Sequence, residues 1–156
     1  MTTTEANATG TIGTRFESWQ GGVVGGLLGG LVFGALLAVE SPAVLESTIP
    51  SGMYGLSASG EIGWIIHMSH AAILGVVFVA VIERGGFDDR FDTNLANGVA
   101  GLVYGLVVWA VLAAVVMPIW VSGGSTTNVP NVTTVSIVGH AAFGIVLGVS
   151  YSVVSD

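Results

Sequence analysis

The chain carries three histidines, His67, His70 and His140, and each lies inside a stretch of uncharged, mainly apolar sequence. Neutral imidazole is a ligand for zinc, copper or haem iron. Two histidines on separate helices could supply the axial ligands of a haem, and three could hold a transition metal with one position open. Such a cluster could also pass protons or handle a solute. The plainer role is interhelical hydrogen bonding, worth about 0.6–2 kcal/mol within a bilayer. The residue types leave these roles open. Glu40, Glu61 and Met117 are weaker candidate ligands near the same end of their segments. No nucleophile and base stand at a recognisable spacing, so no catalytic residue is assigned.

The elements that must position these groups follow from composition. Of 156 residues, 52% are hydrophobic and 8% charged. A soluble domain has about 25% charged residues, so lipid is the expected solvent of this chain. Four stretches, about 21–39, 62–82, 99–121 and 135–154, contain no Asp, Glu, Lys or Arg. Each is near the length of about 20 apolar residues that a spanning helix needs. Alternation with period two is absent, which leaves helices as the way to satisfy the backbone in hydrocarbon. The expected fold is all-α: residues 1–18 as a polar cytoplasmic tail and residues 19–156 as a four-helix transmembrane bundle. Ser41-Pro42 reads as an N-cap and first-turn pair opening a short surface helix through Glu46. Pro118 reads as a kink or stop in the third span.

Charge fixes the expected direction. The three cationic residues are Arg15, Arg84 and Arg90, and there is no lysine. Arg15 precedes the first span, and Arg84 and Arg90 lie between the second and third. The positive-inside rule therefore places both termini in the cytoplasm of a multi-pass cell-membrane protein. All three histidines then lie near the outer face, roughly 7–10 Å below the helix starts. A net charge of −7 excludes the basic patches that nucleic-acid binding requires. With no cysteine, disulfides and thiolate metal sites are excluded as well.

Glycine has a pattern of its own. Gly22, Gly26, Gly30 and Gly34 recur every four residues, and Gly101/Gly105 and Gly144/Gly148 repeat the spacing. In lipid this makes a strip on which another helix can lie close. Packing within one bundle is the expected use, with a homo-oligomer or a membrane-complex partner on the glycine-rich faces as the alternative. The first and third spans also resemble each other. Gly22, Val23, Gly25, Gly29, Val32, Leu36, Ala38, Val39 and Pro42 recur 76 positions on, ending at Pro118. His70-Ala71-Ala72 recurs at His140-Ala141-Ala142. Two tandem helical hairpins running the same way are expected, related by a pseudo-two-fold axis along the membrane normal, with His70 and His140 as symmetry mates.

The segments Gly63-Trp64-Ile65-Ile66-His67-Met68-Ser69-His70, Val116-Met117-Pro118-Ile119-Trp120 and Gly139-His140 resemble a family of small four-span proteins of halophilic archaea. The likeness covers roughly residues 19–154. Some members carry a histidine-kinase label, but this chain has no nucleotide-binding loop and no soluble helical hairpin bearing a phospho-acceptor histidine. The resemblance implies the fold and the topology and supplies no activity. From the sequence, the leading expectation is a non-enzymatic accessory or scaffold subunit. The alternatives are a His-ligated metal or haem site near the outer face, and a small oligomeric channel or transporter.

Overall fold

Each long helix begins where a polar side chain takes up an orphan backbone donor. Glu17 and Gln20 form a reciprocal capping box at the start of the first helix, with the Glu17 N–H donating to Gln20 Oε1 at 2.9 Å. Ser59 accepts from the Ile62 N–H, Thr93 from Ala96, and Thr133 from Ser136. A computed structural model describes residues 17–86 and 93–155. The expected tail, with Arg15, falls mostly outside these residues, as do Asp88, Asp89 and Arg90 of the second connection.

The described chain forms α1 (Ser18–Glu40), a short helix α2 (Val44–Met53), α3 (Gly60–Arg84), α4 (Asn94–Val121) and α5 (Thr134–Ser155). The protein is a four-helix transmembrane bundle: α1, α3, α4 and α5 are each long and apolar enough to cross a bilayer. All four extend a few residues beyond the uncharged stretches, because the caps lie in the flanking polar sequence. Four crossings bring residues 17 and 155 to one end of the bundle. The opposite end carries α2 and the α4–α5 loop.

α2 departs from the surface helix expected to stop at Glu46. It continues to Met53 as a wide, π-type helix and is tucked into the bundle, with Leu45, Ile49 and Pro50 buried. Leu45 and Ile49 are four apart and share one face, and Gly63 of α3 lets the Leu45 carbonyl lie directly on its Cα. α4 shows what Pro118 does. Proline has no N–H, so the Ala114 carbonyl four residues earlier has no ordinary helical donor. The Asn131 N–H from the α4–α5 loop takes its place at 2.8 Å, and the helix widens to the π pattern over Trp109–Val116. The span therefore continues past Pro118 to Val121, and the loop is drawn down onto it.

The glycines are used inside this one chain. On α1, a Cβ at Gly22 or Gly26 would strike the carbonyls of Gly75 and Ala71 on α3. On α4, a Cβ at Gly101 or Gly105 would strike the carbonyls of Gly144 and His140 on α5. Gly30 and Gly34 face Ala71 and Trp64 of α3, and Gly148 faces the Asn97 carbonyl. The two hairpins thus make the same close contact, with Gly22/Gly26 answering to Gly101/Gly105 and Ala71/Gly75 to His140/Gly144. That register is three residues further on for the first helices than the sequence identities suggest, and one residue back for the second. His140 therefore stands in the place of Ala71, and not of His70.

The closely packed pairs are α1 with α3, α1 with α5, and α4 with α5, with α2 on α3; α3 and α4 are not among them. The reason lies in side-chain size. At the α1–α5 seam, α1 presents Gly25 and Gly29, whose added Cβ atoms would meet the Leu147 and Phe143 carbonyls at 2.8 and 2.6 Å. In the contact register above, the α3–α4 seam sets Tyr104 and Val108 against Phe78 and Leu74. Tyr104 donates its hydroxyl to the Leu74 carbonyl at 2.7 Å, with its ring edge-on to Phe78 at 5.3 Å. Glycine lets backbones touch, whereas a tyrosine holds them a ring apart. One seam is closed and its counterpart is wedged open.

Candidate functional site

The wedge leaves a cavity of about 550 Å³ in the half of the bundle away from the termini. That lies in the range of about 300–1,000 Å³ typical of small-molecule sites. Every helix contributes to its wall: Phe33 and Leu37 from α1, Ile49 and Met53 from α2, Ala71 and Leu74 from α3, Val108 and Met117 from α4, Phe143 from α5. Ser41, Thr48, Asn131, Thr133 and Ser136 supply polar groups toward the loop end. Ile73 on α3 and Leu112 and Val116 on α4 also line it, yet are 61%, 40% and 40% exposed. The cavity therefore opens sideways between α3 and α4, onto the lipid-facing surface. Toward the termini it is blind, because Phe78 and Leu147 fill the core there at 1% and 0% exposure.

All three histidines line this cavity. His67 and His70 come from α3 at i, i+3, and His140 from α5. His67 is buried, and its Nε2–H donates to the Gly30 carbonyl at 2.9 Å. Its ring stands edge-on to Phe33 and Trp64 at centroid distances of 5.6 and 6.0 Å. His140 donates from Nδ1 to the Ser136 carbonyl one turn earlier at 2.8 Å, and its ring lies 4.6 Å from Phe33. His70 Nε2 and the Tyr54 hydroxyl share a hydrogen bond of 2.6 Å. The Tyr54 ring in turn meets Trp120 at 5.6 Å, so His70 ties α3 through the end of α2 to α4.

A metal or haem would have to use the second ring nitrogens, Nδ1 of His67 and His70 and Nε2 of His140. Among the described residues no three His, Asp or Glu side chains converge where they could hold a metal ion. His67 and His140 both pack against Phe33, and His67 Nε2 and His70 Nε2 already have partners within the chain. Met117 lines the cavity, but Glu40 and Glu61 are exposed and do not. Among the described residues, no Asp, Glu, Lys or Arg lines it at all. Among the described residues, the site is a chamber without charged side chains and with three imidazoles on its wall.

The sequence did not single out Phe33, Tyr54 or Tyr104. Phe33 and Tyr54 touch the histidines only through the fold, and an aromatic residue in an apolar span reads as ordinary core. No family model, curated protein or solved structure matches the chain.

Proposed function

We propose that this chain is a non-enzymatic, multi-pass protein of the cell membrane that holds a lipophilic small molecule taken from the bilayer. The observation behind this reading is the blind chamber walled by all five helices, polar toward one end and open to lipid between Ile73 and Leu112. A chamber closed by Phe78 and Leu147 suits retention more than passage, so binding is preferred to a channel or transporter. Orientation rests on the arginines: the termini face the cytoplasm and the chamber lies in the outer half. The glycine strips are occupied within the chain, which favours packing inside the bundle over a homo-oligomer built on those faces. A partner of such an accessory subunit would dock on the exposed valine- and leucine-rich surface. The likeness to small four-span proteins of halophilic archaea is compatible with this role.

A second reading has one observation in its favour. His140 holds Nδ1–H on a backbone carbonyl, which leaves Nε2 oriented as metal-bound imidazoles are. One preparation tests both. The full chain is purified in detergent, its organic extract examined by mass spectrometry, and the same sample assayed for visible absorption and metal. A stoichiometric lipophile, depleted in a Leu112→Trp variant that fills the chamber and still unfolds cooperatively, is the expected result. An extract no different from that of the filled variant refutes the binding reading. A Soret band or stoichiometric metal, lost in His140→Ala, would replace it with the second.

A further inference from the structure

The ring protons of two histidines are fixed by their partners. A backbone carbonyl can only accept. The 2.9 Å contact to Gly30 therefore places a proton on His67 Nε2, and the 2.8 Å contact to Ser136 places one on His140 Nδ1. With one proton per ring, the second nitrogen of each, Nδ1 of His67 and Nε2 of His140, is a bare lone pair. Neither has a hydrogen-bond partner in the chain among the described residues. Two of the imidazoles on the chamber wall therefore carry an acceptor where a quick reading of histidine would expect a donor.

Charge narrows the match further. With no charged side chain among the described residues of the wall, a ligand ammonium or carboxylate inside would be unpaired in a low-dielectric space, which costs several kcal/mol or more. A ketone, an ether or an ester brings only acceptors: the hydroxyls of the polar end could donate to it, but the imidazole lone pairs would stay unmatched. A hydroxyl brings one donor and carries no charge, and its own lone pairs can accept from the hydroxyls of the polar end, Thr133 and Ser41 among them. The lateral opening between Ile73 and Leu112 gives an attached hydrocarbon chain a way out into the bilayer.

We infer that the ligand of this chamber is an uncharged lipid alcohol, its single hydroxyl proton donated to Nε2 of His140 and its chain leaving between α3 and α4. This rests on the ligand-binding reading above, and it assigns the ligand's chemical class and the atoms that select it.

The test uses the full chain in micelles and a photoreactive long-chain primary alcohol as probe. Competitors of the same chain length are the unlabelled alcohol, its methyl ether and the corresponding fatty acid. The alcohol is expected to block cross-linking about tenfold better than the ether, the effect of one well-placed hydrogen bond and its lost partner, with the acid weaker still. In His140→Asn the amide can keep the bond to Ser136 but has no acceptor at the ε position, and the alcohol-to-ether ratio should fall toward one. Equal competition by alcohol and ether, or a better acid, overturns the hydroxyl assignment while binding to the chamber stands. Cross-linking that is absent, or unchanged in Leu112→Trp, overturns the chamber reading with it. Should His140→Asn fail to fold, the ranking of competitors on the unmodified chain decides the matter alone.

Discussion

A single added methyl group at Gly101 measures how closely the second hairpin is packed. The Cβ of Gly101→Ala would fall on the Gly144 carbonyl oxygen, with the Gly148 nitrogen 3.0 Å away. Both neighbours are backbone atoms of α5 and cannot rotate aside, so α4 and α5 must separate. Overpacking of this kind costs about 1–3 kcal/mol, and a backbone obstacle argues for the upper end. Alanine returns about 1 kcal/mol through its better helix propensity. The expected net loss is about 2 kcal/mol, roughly a 30-fold shift toward the unfolded state. Gly98 provides the control on the same helix, since its added Cβ would meet only the Val149 Cγ2 methyl, at 3.1 Å. That side chain can yield by a few tenths of an ångström, so Gly98→Ala should be neutral or stabilising by up to about 1 kcal/mol. Reversible unfolding in mixed micelles, at a fixed detergent mole fraction, reads both variants. If Gly101→Ala unfolds at or above the wild-type midpoint, or if Gly98→Ala is the more damaging of the two, the intramolecular contact is wrong. A change in oligomeric state at unchanged stability would instead assign the glycine strip to a second copy of the chain.

Two further outcomes follow from the seam and the charges. Tyr104→Phe removes the 2.7 Å hydrogen bond to the Leu74 carbonyl and keeps the ring that separates α3 from α4. A loss of about 0.6–1.5 kcal/mol in the same unfolding assay is expected, and unchanged stability would mean that the bond does not tie the seam. Ser125 lies exposed in the α4–α5 loop. A membrane-impermeant thiol reagent should label Ser125→Cys on intact cells; labelling only after the cytoplasm is opened would reverse the proposed orientation.

The spans and their number could be read directly from the sequence, because in hydrocarbon every backbone group must be satisfied within a helix. Four uncharged stretches of spanning length leave little choice. The caps at Ser59 and Thr93 only moved the boundaries outward. The glycine spacing offered a flat strip, since small residues four apart share one face wherever the helix lies. Composition could not say which strip meets which helix. Gly22 and Gly26 lie on α3 and Gly25 and Gly29 on α5, two faces of one helix about 60° apart that a four-residue period describes equally well.

The histidines show the same division. Their types and spacing put His67 and His70 on one face of one helix, and the apolar flanks put all three inside the bilayer. Sequence identity paired His70 with His140, while the packing pairs His140 with Ala71, because alignment counts residues and packing answers to backbone contact. The chamber, the proton positions and the lateral opening exist only in three dimensions. They depend on a tyrosine holding one seam apart where glycines close the other, on Pro118 freeing a carbonyl for a loop nitrogen, and on two carbonyls from distant turns orienting the rings. The residues alone determined that this chain lives in lipid and carries imidazole there. The tertiary structure decided that the three imidazoles share one chamber and that His67 and His140 each give one ring N–H to a backbone carbonyl, which leaves the other nitrogen as an acceptor.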